Sequence, residues 1–99
     1  MRVKLPHDLP REEVRRRMRQ HSDEIASFFP AGLAKVTTSW SSDDRMDITA
    51  EVVGYTIAGG VDVKDNEVVI EMDLPLILGL MKGPLEAAVK KEGQRLLAP

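Results

Sequence analysis

Between Ala34 and Leu74 apolar and polar side chains alternate almost without interruption, and turn signals cut the run into pieces of strand length. Alternation with period two sends successive side chains to opposite faces of a sheet, so the run encodes strands with one buried and one wet face. Ala34, Val36, Thr38 and Trp40 form the first inner row, and Met46, Ile48, Ala50 and Val52 the second. Ile57, Gly59, Val61 and Val63 form the third, and Val68, Ile70, Met72 and Leu74 the fourth, ended by Pro75. Ser41-Ser42-Asp43-Asp44 is a loop; Gly54-Tyr55 and Asp65-Asn66 read as tight turns. A turn at Gly54-Tyr55 opposes Val52 with Ile57, Ala50 with Gly59, Ile48 with Val61 and Met46 with Val63. A turn at Asp65-Asn66 opposes Val63 with Val68, Val61 with Ile70, and Lys64 with Glu67. The two turns imply one consistent inner face. Trp40 is expected opposite Met46, where sulfur and ring can pack.

Helical signals flank the sheet. Asp8 is a candidate cap, Pro10 suits a first turn, and Glu12 and Glu13 suit the positive end of the helix dipole. Val14, Met18, His21, Ile25, Phe28 and Phe29 fall on one stripe, which Pro30 and Gly32 end. Glu12 with Arg16, and Glu13 with Arg17, have favourable i,i+4 spacing. Gly83-Pro84 opens a last helix with the stripe Leu85, Val89 and Leu96. The expected fold is α+β, a single domain over 1–99 in the order α-β-β-β-β-α. A four-stranded antiparallel meander has both helices packed on the face lined by Val36, Trp40, Ile48, Val61 and Ile70.

Several function classes are excluded or disfavoured. The chain has no cysteine, which removes disulfides, thiolate metal sites and cysteine nucleophiles. The N-terminus lacks an apolar signal core, and no apolar run is long enough to span a membrane. A cytoplasmic protein is the expectation. Residues 1–20 carry seven basic and three acidic groups, whereas residues 43–73 carry two basic and nine acidic groups. That asymmetry, and the lack of aromatic residues among Arg15, Arg16, Arg17 and Arg19, argues against nucleic-acid binding. The strand carboxylates Asp47, Glu51, Asp62, Glu67, Glu71 and Asp73 lie along a flat face and do not converge as metal ligands must. His7 lacks a second histidine at ligand spacing, so loop anchoring suits it better. No cofactor motif is present, and no enzymatic activity is expected.

Two features remain. His21 and Glu92 each lie mid-stripe on their helices, so they could meet as a buried pair near the space left by Gly59 and Ala50. That is the alternative reading, a small ligand-binding protein or enzyme. The other feature is Leu76, Ile77, Leu78, Leu80 and Met81, interrupted by Gly79. It is too apolar for an ordinary connection, and it is the expected interaction segment.

His7 and Leu9 before Glu12-Glu13-Val14, Trp40 before an acidic loop ending at Asp44, and Gly60-Val61-Asp62-Val63 before a tight acidic turn recur in a recognisable order. Gly79, Lys82 and Leu85-Glu86 complete it. The chain thereby resembles the polyhydroxyalkanoic acid system family, small bacterial proteins linked to polyester storage granules. The resemblance implies a setting at or near the granule surface. It suggests as partner that surface, a granule protein or a second copy of the chain.

Overall fold

The computed structural model describes residues 1–24, 34–52 and 54–99. Its elements are β1 (Arg2–Pro6), α1 (Arg11–Gln20), β2 (Ala34–Ser42), β3 (Arg45–Val52), β4 (Tyr55–Val63), β5 (Glu67–Met72), a 3-10 segment (Leu76–Met81) and α2 (Lys82–Leu96). All five strands form one antiparallel sheet in the order β1-β5-β4-β3-β2. The fold is therefore α+β, with one strand more than the alternation between 34 and 74 supplies.

The added strand is the N-terminal one. Val3 and Leu5 oppose Ile70 and Val68 across the β1–β5 ladder, and both are buried. Arg2 and Lys4 take the other face, so the period-two pattern was present but only five residues long. Residues 2–6 thereby cover the β5 edge that a four-stranded meander would leave open.

The β4–β5 turn falls as expected: Val63 opposes Val68, Val61 opposes Ile70, and the Lys64 N–H donates to the Glu67 carbonyl at 2.9 Å. Trp40 opposes Met46. The β3–β4 register differs from the expected one by two residues. Val52 opposes Tyr55, Ala50 opposes Ile57, Ile48 opposes Gly59 and Met46 opposes Val61. Ala50 and Gly59 are thus not cross-strand neighbours. The turn lies one position earlier, with Gly54 at φ +80°, where a glycine carries no steric penalty. Because side-chain parity repeats every two residues, the inner face survives the shift. The outer face decides between the registers. The expected one sets Asp47 against Asp62, two like charges; the observed one sets Arg45 against Asp62 and leaves Asp47 opposite Gly60. Arg45 Nη1 then reaches Asp62 at 2.8 Å, and its Nε reaches Asp47 at 3.1 Å.

The start of α1 also differs from expectation. Pro10 occupies the cap position, with no side-chain hydrogen bond, and Asp8 is exposed. The helix is fixed instead by Arg11, which bonds Asp65 at 2.6 Å and Asp44 at 2.8 Å, tying it to two sheet turns. Glu13 takes both Arg16 and Arg17 as partners. Arg17 also donates to the carbonyls of Leu96 and Ala98 at the end of α2. The helix ends at Gln20, with the His21 N–H donating to the Arg17 carbonyl. Ile25, Phe28, Phe29, Pro30 and Gly32 lie outside the described residues.

Val14 and Met18 of α1, Leu85 and Val89 of α2, and the inward rows of β1, β3, β4 and β5 belong to one buried cluster. Val36, Trp40, Ile70 and Leu96 pack at its margin. Leu5 approaches α2 so closely that a side chain at Gly93 would collide with it. The glycine that lowers helix propensity there allows the helix to lie against β1.

Candidate functional site

The segment after β5 is built by geometry that sorts its own side chains. Pro75 holds an extended backbone at φ −57° and ψ 147°, which ends the strand before it. The Leu78 N–H then donates to the Pro75 carbonyl at 2.9 Å, and the Lys82 N–H donates to the Gly79 carbonyl. The two turns meet at a kink at Leu78, whose φ −98° and ψ 15° are not helical. Leu78 points into the core and is 8% exposed, and Met81 packs against the cluster. The other large side chains face outward. Leu76 is 99% exposed, Leu80 95% and Ile77 66%. Of the five apolar residues singled out in the sequence, two anchor the segment and three form a bare apolar ridge.

Large apolar side chains exposed in sequence neighbours differ from the scattered exposure every protein shows. The flanking charges are Asp73 and Lys82, both exposed, so the ridge is bordered by one charge of each sign. A Cβ at Gly79 would meet nothing within 4 Å, which shows how open this corner is.

His21 and Glu92 do not pair. Both line a cavity of about 100 Å³ whose walls include Val14, Met18, Ile48, Val61, Ile70 and Val89. His21 is exposed, and its Nδ1 lies 3.0 Å from Glu24 Oε1. Glu92 lies 3.4 Å from Arg95 instead. The space expected beside Gly59 is closed, because a side chain there would collide with the Glu71 carbonyl and with Met72. The cavity thus lies elsewhere, between helix and sheet side chains, with apolar walls and the two titratable groups engaged at its margin.

His7 is buried and acts as a latch. Its N–H donates to the Asn66 carbonyl at 2.9 Å, Nδ1 accepts from the Leu9 N–H at 3.1 Å, and Nε2 lies 3.0 Å from the Lys64 carbonyl. Those partners fix the neutral tautomer with the proton on Nε2. The chain leaving β1 is thereby pinned to the β4–β5 turn.

The arginines of α1 are engaged within the molecule. Arg15 lies 3.7 Å from Asp44, Arg16 and Arg17 bond Glu13, and Arg19 stacks over Trp40 at 4.8 Å from the ring centre. Among the described residues no three His, Asp or Glu side chains stand together as metal ligands would. No helix among them is long and apolar enough to cross a membrane.

A family model described as "Putative polyhydroxyalkanoic acid system protein" matches residues 1–97. The chain belongs to that family. The match spans the residues of the bare ridge, the His7 latch and both helices. No curated protein and no solved structure matches the chain.

Proposed function

We propose that this protein is a non-enzymatic module of the polyhydroxyalkanoic acid system that docks on the polyester granule through Leu76, Ile77 and Leu80. The carrying observation is the exposed ridge itself, held outward by buried Leu78 and half-buried Met81. Membership of the family supports the setting. The reading takes both helices as covering one face of the sheet, because the cavity between them is walled by α1, α2 and the inner strand rows. That arrangement leaves the ridge at a corner of the molecule, where a flat surface can reach it.

Fully burying a leucine or isoleucine side chain contributes about 1.5–3 kcal/mol. Three of them give a useful gross energy, from which the costs of association are subtracted. The result is reversible adsorption rather than permanent anchoring. A granule-coat protein or a second copy could cover the same ridge, and both are outcomes of the test.

The test is Leu76→Ser/Leu80→Ser in the purified protein. Its thermal stability stays within about 0.5 kcal/mol of wild type, as for exposed positions generally, while partitioning to protein-free polyester particles is lost. Leu78→Ser, at the buried position, lowers stability instead. Wild-type protein that does not partition to bare particles, or a double variant that partitions equally well, contradicts the proposal.

A further inference from the structure

The two edges of the sheet are built differently. β1 has five residues, carries Arg2 and Lys4, ends at Pro6 and lies against α2. Those are features that discourage another strand from adding. β2, the opposite edge, has nine residues, no proline and Lys35 as its one charge. Among the described residues nothing pairs with its outer side.

The orientation of its backbone groups follows from the ladders. The Val63 N–H donates to the Asp44 carbonyl at 2.8 Å, which continues the β3–β4 register and shows that even-numbered residues of β3 bond β4. Antiparallel residues alternate between the two neighbouring strands. Odd-numbered residues of β3 therefore bond β2, through Lys35, Thr37 and Ser39. Val36, Thr38 and Trp40 are left with both N–H and C=O directed at the edge that no described residue pairs with.

We propose that β2 pairs antiparallel with β2 of a second copy across a two-fold axis at Thr38, joining two five-stranded sheets into one. In this register Thr38 faces Thr38 of the second copy, and Val36 faces its Trp40. Both are favourable cross-strand pairs. Val36 and Trp40 are half-buried at the core margin, and the pairing covers both. Lys35 faces Ser41, so no like charges meet. Each outward-directed residue meets another, and each such pair exchanges two backbone hydrogen bonds. Centring the axis on Thr37 instead sets Val36 against Thr38 and loses the Val–Trp pair. The ladder irregularity between Trp40 and Ser42 ends the pairable stretch. The interface lies at the far edge from β5, whose end leads into the docking ridge, so it stands independently of the granule proposal.

The chain has no cysteine, so one introduced thiol reports one position. At the axis, Thr38→Cys places two Cα atoms about 5.5 Å apart, within disulfide range. Lys35→Cys places its copies roughly 20 Å apart along the strands. Wild-type protein is expected to sediment as a dimer at tens of micromolar. Thr38→Cys then crosslinks almost completely under mild oxidation, and Lys35→Cys does so at least tenfold less. Thr38→Pro, which removes an outward N–H and no bond to β3, sediments as a folded monomer. If that variant unfolds, the two cysteine proteins decide the matter. A monomeric wild type, equal crosslinking at both positions, or a dimer abolished by Leu76→Ser/Leu80→Ser overturns the proposal.

Discussion

Single residues in this protein act mostly by what they hold in place. His7→Ala removes a ring that serves the Lys64 carbonyl and the Leu9 N–H inside the fold. A fully buried backbone group left unsatisfied costs about 1–3 kcal/mol; these two are part-buried, so chemical denaturation should show a loss of at most that order. The role was partly visible in the sequence, since a histidine without a ligand partner before a helix suggests an anchor. Leu9 is a local partner, but Lys64 lies 57 positions away, and no local pattern reveals it. Gly59 gives a sharper contrast. A methyl group there meets backbone atoms of Glu71 and Met72, which cannot rotate away. Gly59→Ala is expected to cost about 1–3 kcal/mol as overpacking does, whereas Gly79→Ala, in open space, changes stability by under about 1 kcal/mol. Thermal melts of the two variants side by side test this. The sequence identified Gly59 as a small inner residue and offered a pocket there as the alternative reading; the neighbouring strand fills the space.

At the scale of elements, charge pairs fixed what hydrophobic parity left open. The inner rows of β3 and β4 satisfy either of two registers, because a two-residue shift returns every apolar side chain to the same face. The outer face breaks the tie through Arg45 and Asp62. Opposition of Asp47 to Asp62 was the warning that the first register was wrong. The stripe of α1 continues past His21 on the helical wheel, whereas among the described residues the α-helix ends at Gln20; Ile25, Phe28 and Phe29 lie outside the described residues. Within α1, the guanidinium groups of Arg16 and Arg17 hold the Glu13 carboxyl down at about 2, hydrogen bonding first and charge attraction second. A carboxyl held lower in the folded state than in the unfolded one stabilises the fold above the ordinary carboxylate range. It loses that contribution as pH falls towards about 2. Acid unfolding of wild type and Glu13→Gln, followed by circular dichroism, should therefore differ at neutral pH and converge near pH 2. The group is solvent-exposed, so added salt shrinks the difference.

For the whole molecule, one core joins the helices to the sheet, and the N-terminal strand is part of it. Leu5→Ala removes side-chain volume from between β1 and α2, and truncations of this kind cost about 2–5 kcal/mol. Four strands were legible because they are long and bounded by turn residues. The fifth was hidden by brevity, five residues with only Val3 and Leu5 facing inward. The candidate site was legible as a segment but not as a surface, because composition cannot say which of five apolar residues turn inward; the backbone path through the kink at Leu78 does. The account stands or falls on that outward ridge meeting the polyester. An environment-sensitive fluorophore attached to Leu80→Cys, compared with one at Gln94→Cys about 20 Å away along α2, measures it directly. On adding protein-free polyester particles, the label at position 80 should brighten and shift to shorter wavelength while the label at position 94 stays unchanged. Particle-bound protein with equal changes at both positions, or with none at position 80, would contradict the account.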